Sequence, residues 1–182
     1  MDRDESRFAQ ASKQMLASGD YVTVRFQDEL RAKKPAGIYW LQSVAASLFG
    51  ADHIAAYRLP SLLAFLATIW GTYHLATNLY RKPRALLAAA VLGSSLLAFA
   101  EAHLAKTDTV LMALCLAQQM ALMRIYIALQ LGRAPPERSW LWFWFFLGAA
   151  IMIKGPIAPL LGFATIAALC LWDRSYGWLR NL

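Results

Sequence analysis

The sequence predicts an all-α integral membrane protein in which a polar, folded loop precedes a bundle of apolar helices. Three observations carry that expectation. The 182 residues are 59% hydrophobic, with a mean hydropathy of +0.41. The apolar residues come in runs close to the about 20 that a helix needs to cross a bilayer core. The charges avoid those runs, gathering in the first 57 residues and in short connections, with a net charge of +7. Residues 1–57 therefore read as an extracytoplasmic loop and residues 58–182 as the transmembrane region. Cys115 and Cys170 both lie in apolar runs, which argues against a disulfide framework. The chain opens on Met1-Asp2-Arg3-Asp4, with no apolar segment of a signal peptide behind it.

Residues 4–17 have the pattern of an amphipathic helix. Phe8, Ala11, Ser12 and Met15 recur at helical spacing, while Gln10, Lys13 and Gln14 take other faces. Asp4 precedes Phe8 by four positions, which puts it at the head of the apolar stripe. Ser18-Gly19-Asp20 stops the helix, and residues 21–34 read as an extended loop. Pro35 keeps Lys34 out of the helical region and opens a second helix, where its missing N–H costs nothing. That helix carries Ile38, Tyr39, Trp40 and Leu41, ends near Gly50, and suits the headgroup region of a membrane.

Five spans are expected after Arg58, near residues 59–79, 85–104, 109–131, 139–153 and 156–172. Read as one helix, 140–172 would run about 50 Å, too long for a bilayer, so Lys154-Gly155-Pro156 marks a hairpin. Its first arm is short for a full crossing, so it must borrow interfacial residues such as Ser139 or remain shallow. Gln118-Gln119 reads as a source of helix–helix hydrogen bonds, Arg124 as a snorkelling cation, and Trp140–Phe146 as an interfacial belt.

With five crossings, the short basic loops fall on one side: Arg81, Lys82 and Arg84; Arg133 and Arg138; Arg174 and Arg180. The positive-inside rule assigns that side to the cytoplasm. Residues 1–57 carry seven basic residues matched by seven acidic ones, but the bias repeated at three short loops weighs more. Asp4, Lys34, Lys106, Asp108 and Lys154 then share the outer side. An N-terminus outside the membrane implies a further helix upstream, so the chain is expected to be a piece of a longer protein.

These outer residues can do chemistry together. Lys34 and Lys154 are compact cations suited to a phosphate, and Arg7 can hold one through two parallel hydrogen bonds. Asp4 can orient or deprotonate an acceptor within hydrogen-bond reach. Plain structural roles compete at every position. Asp4 and Glu5 can complement a helix dipole, Asp108 can cap the next span, Lys33 and Lys34 can bind headgroups, and Lys154 can snorkel. His53, His74 and His103 lack metal-ligand spacing.

The order of motifs is more specific than any one of them. Asp4-Glu5-Ser6-Arg7-Phe8-Ala9, Met15–Tyr21, Lys34-Pro35 with Tyr39-Trp40, Phe49-Gly50 then Arg58, Lys106-Thr107-Asp108 and Lys154-Gly155-Pro156 run across essentially the whole chain. In this order they resemble the polyprenyl-phosphate-sugar glycosyltransferases of the GT-C fold, in particular the lipid A aminoarabinose transferases and the protein O-mannosyltransferases. The resemblance implies a multi-span helical bundle in the bacterial inner membrane, with its active-site loop facing the periplasm. It implies a polyprenyl-phosphate-linked sugar donor, a lipid or protein acceptor, and no nucleic-acid partner. By the same resemblance Asp4 is the acceptor-side catalytic carboxylate and Asp108 the second acidic residue. Lys34 meets the carrier phosphate, and Glu5, Arg7 and Lys154 bind substrate. The aminoarabinose transferases usually carry an acid just before the loop lysine, whereas this chain has Arg31-Ala32-Lys33. No definite cofactor is therefore implied, since a divalent metal resting on that acid would lack it here, and the resemblance does not fix lipid A as the acceptor.

Overall fold

The structure is a computed structural model that describes residues 3–27, 29–30, 34–174 and 176–181. The expectations placed on Arg31-Ala32-Lys33 lie outside these residues, as does the side chain of Arg180.

Helix α1 spans Arg3–Ser18 and ends at Gly19, whose φ of +70° suits glycine and whose N–H reaches the Met15 carbonyl. The expected extended loop contains a small hairpin, β1 (Arg25–Phe26) against β2 (Glu29–Leu30), with Arg25 opposite Leu30. Gln14 pins it to α1, donating from Nε2 to the Gln27 carbonyl and accepting from the Gln27 N–H. Helix α2 (Gly37–Phe49) lies against α1. Ser12 donates to Gln42 Oε1 at 2.7 Å and Ser43 to the Ser12 carbonyl at 3.2 Å, both bonds buried. The opposite face of α2 leaves Trp40, Leu41, Val44 and Leu48 exposed.

Helices α3 (Ile54–Thr77) and α6 (Asp108–Gln130) are long and apolar enough to cross a membrane. Of the other three expected spans, one is bent and two are short helices at the expected places. Residues 85–104 do not form one helix: α4 (Lys82–Gly93) and α5 (Leu96–Ala102) meet at a 62° bend. The break falls at Gly93-Ser94-Ser95, where glycine and serine are the usual causes of a kink. Helices α7 (Ser139–Lys154) and α8 (Ile157–Asp173) are apolar but only 16 and 17 residues long. At 1.5 Å per residue they run about 25 Å, short of a bilayer core. They meet at the expected hairpin, with Gly155 at φ +71° between them. A final 3₁₀ turn, Gly177–Asn181, returns to α6 and buries Trp178.

One apolar core joins α1, α2, α6, α7 and α8 through Phe8, Tyr39, Leu122, Phe143, Ile153 and Ala158. Leucine and aromatic side chains face outward on α3, α4, α7 and α8. Such a surface suits lipid rather than water. Gln118 is fully buried in α6, with its amide against Gly162 of α8. The expected helix–helix contact is therefore present without the expected hydrogen bond, since neither amide atom of Gln118 has a partner among the described residues.

Candidate functional site

The site begins with the buried face of α1, which runs Glu5, Phe8, Ala11, Ser12 and Met15. Glu5, not Asp4, heads that face. A residue three positions before Phe8 shares its face as readily as one four before, and here the protein supplies a partner for Glu5. The Asp4 side chain is instead 60% exposed, with Arg7 at 3.8 Å.

That partner for Glu5 is Arg58, in the first turns of α3. Its Nε donates to Oε1 at 2.6 Å and its Nη2 to Oε2 at 3.0 Å, a bidentate fork. The Ala105 N–H, in the turn before α6, donates to the same Oε1 at 3.1 Å. Burial pushes the Glu5 carboxyl up, but the Arg58 hydrogen bonds, the Ala105 N–H and the guanidinium charge outweigh it and hold it below its ordinary value. One buried carboxylate thus ties the loop helix to two parts of the bundle.

Lys34 lies just before α2 with its Nζ 4.5 Å from the centre of the Phe8 ring, a cation–π contact. Phe8 follows Asp4 by one helical turn and is itself 5.6 Å from the Tyr39 ring. Gly37 seats the start of α2 on the end of α7, where a Cβ would lie 2.6 Å from the Met152 carbonyl oxygen. Two residues further, Lys154 pairs with Asp108. Asp108 is the first residue of α6 and Thr107 its N-cap, so Asp108 is not the cap itself. The pair still obeys helix-dipole logic, with an acid at the start of α6 and a base at the end of α7. Beside it, Lys106 lies 3.7 Å from Glu101, and Ser61 of α3 donates to the Lys106 carbonyl at 3.2 Å.

Asp4, Glu5, Arg7, Lys34, Asp108 and Lys154 therefore all belong to one end of the bundle, linked through Glu5–Ala105, Lys34–Phe8 and Gly37–Met152. The basic loops lie at the other end, where Tyr126 and Gln130 of α6 bond Asp173 at the end of α8. Arg58 was the residue that composition and motif reading undervalued. Its signal was present: a guanidinium in the first turns of an apolar span demands a partner. Among the described residues no three His, Cys, Asp or Glu side chains converge on one point.

Residues 33–181 match the family model described as dolichyl-phosphate-mannose-protein mannosyltransferase. The chain belongs to that family. It is 32% identical over 181 residues to undecaprenyl phosphate-alpha-4-amino-4-deoxy-L-arabinose arabinosyl transferase 1 of Pseudomonas fluorescens, a match covering 97% of this chain and 31% of the relative. The corresponding transferase of Erwinia tasmaniensis is 28% identical over 175 residues, covering 95% and 31%. ArnT from Cupriavidus metallidurans shares the fold. Its apo crystal structure matches with a TM-score of 0.84 at 25% identity, over 98% of this chain and 33% of that one. Its structure bound to undecaprenyl phosphate matches at 0.79 and 27%, over 100% and 33%. The chain thus spans about a third of the length of the relatives it matches.

Proposed function

We propose that this chain forms the first outer loop and adjoining helices of a membrane glycosyltransferase. That enzyme moves a sugar from a polyprenyl-phosphate carrier to a lipid or protein acceptor on the outer side of the bacterial inner membrane. The observation that carries the reading is the Glu5 clamp. It binds α1 to Arg58 and Ala105 while Asp4, the next residue, stays exposed at the end of the bundle that holds Lys34, Asp108 and Lys154. The match to an ArnT bound to undecaprenyl phosphate supports the donor class.

In this reading Asp4 takes the proton from the acceptor, whose oxygen attacks the anomeric carbon. The bond from that carbon to the carrier phosphate breaks, and the phosphate leaves with the electron pair. Lys34 and Arg7 stabilise the charge that grows on the leaving oxygen. Lys154 is available to the phosphate to the extent that it leaves Asp108, so that pair can exchange a protein partner for a substrate one. Glu5, with both oxygens already bonded, positions Asp4 rather than meeting substrate.

The test is Asp4→Asn in a chimera where this chain replaces the matching third of the Pseudomonas fluorescens transferase, assayed for transfer from an undecaprenyl-phosphate sugar. Transfer is expected to vanish while the protein still inserts. Unchanged turnover would sink the role of Asp4, and carrier binding without transfer by the unmutated chimera would favour a binding protein.

A further inference from the structure

At the end of the bundle opposite Asp4, the last turns of α6 line a cavity of about 310 Å³. Two arginines open onto it, Arg124 from within α6 and Arg133 from the connection to α7. Arg124 lies six residues before the end of a helix long enough to cross a membrane, about 9 Å inward at 1.5 Å per residue. A guanidinium at that depth is costly unless it is paired. Among the described residues, neither the Arg124 nor the Arg133 guanidinium has a hydrogen-bond or ion-pair partner. Glu137, on the same connection, is exposed and pairs with neither.

The cavity is built rather than incidental. The Arg133 N–H bonds the Ala128 carbonyl at 2.9 Å and the Gly132 N–H the Leu129 carbonyl at 3.0 Å, with Gly132 at φ +65°. This is a Schellman cap, and it turns the chain so that Arg133 comes back beside α6. Pro136 stiffens the rim. Asn78 at the end of α3 forms the far wall, its amide nitrogen held by the His74 carbonyl at 2.8 Å. Met123, Ile127 and Leu131 supply an apolar flank.

We propose that this cavity binds the phosphate of an anionic lipid, with Arg124 and Arg133 on the phosphate and the apolar flank along the first carbons of the acyl chains. The depth of Arg124 and the flank on α6 favour a ligand that lies in the bilayer over one that arrives from water. Basic pockets between helices at a membrane face are suited to such headgroups.

The test uses the whole chain in nanodiscs containing phosphatidylglycerol and phosphatidylcholine, with retained lipid measured by native mass spectrometry after detergent extraction. The unmutated chain and Arg84→Gln, which removes a basic residue from the first turn of α4, are expected to retain phosphatidylglycerol equally. Arg124→Gln/Arg133→Gln is expected to retain at least about tenfold less, in line with the loss of two charge-assisted contacts. Met123→Trp, which fills the cavity and leaves both charges, should match that loss and guards against misfolding of the double variant. A parallel arm titrates inorganic phosphate in pure phosphatidylcholine discs. Phosphate held through both arginines, without excess phosphatidylglycerol, would move the source from lipid to free phosphate and overturn the lipid assignment. Equal retention by all variants, with no arginine-dependent phosphate binding, would overturn the site.

Discussion

Replacing Arg58 with Met is expected to release α1 from the bundle. The change strips two hydrogen bonds from a carboxylate that solvent does not reach, leaving it only the Ala105 N–H among the described residues. Removing one partner of an enclosed ion pair costs about 3–5 kcal/mol. The Arg58 side chain is 36% exposed, so water enters the vacated space and we reduce the cost to about 2 kcal/mol. That corresponds to roughly a 30-fold change in the local opening constant. Hydrogen–deuterium exchange of the detergent-solubilised chain reads it directly. The amides of Phe8–Met15 should exchange roughly 30-fold faster while those of Leu114–Leu122 in α6 stay unchanged. Glu5→Gln should cost less, about 1 kcal/mol, because a neutral amide is cheaper to leave partly bonded. The double variant should be no worse than Arg58→Met alone. Unchanged exchange in Arg58→Met, or single effects that simply add, would refute the idea that this pair holds the loop helix in place.

Three further outcomes follow from the packing and the charges. Gly37→Ala should lower the thermal midpoint by an amount equivalent to about 1–3 kcal/mol, because its Cβ meets the Met152 backbone carbonyl and α2 must move off α7. A midpoint at the wild-type value would show that α2 is not seated there. Gln118→Met should stabilise the chain by about 1 kcal/mol in denaturant unfolding, since it removes a buried amide with no partner; destabilisation would reveal a hydrogen bond to the amide. The Glu5 carboxyl titrates below its ordinary value of 4.5, so the unfolded chain binds the proton first as pH falls. The gap in thermal midpoint between the unmutated chain and Glu5→Gln should therefore hold steady above that value and close as pH falls through the folded one. A gap that widens in acid would reverse the sign.

Much of the fold was legible because local rules act alone there. The amphipathic period of α1, the proline before α2 and the Lys-Gly-Pro hairpin each depend on a few neighbouring residues, and each element stands where those residues put it. Asp4, Lys34, Asp108 and Lys154 were expected on one side from the charge of the loops, and contacts between distant elements bring them to one end of the bundle. What misled was any inference that needed a partner. Asp4 was placed on the buried face of α1 by a spacing of four, but Glu5 occupies it by a spacing of three. Periodicity tolerates either, and only Arg58, fifty-three residues away, decides between them. The bend after Gly93 was likewise hidden in an apolar run.

From its sequence alone this chain was determined to be a set of apolar helices with a charged loop in front, carrying the motif order of its family. Hydropathy and turn chemistry are short-range properties, readable in windows of a few residues. The tertiary structure alone decided which carboxylate is enclosed and which is exposed. Enclosing a charge requires a guanidinium and a backbone N–H from distant segments to meet it at once, and no window of sequence contains all three.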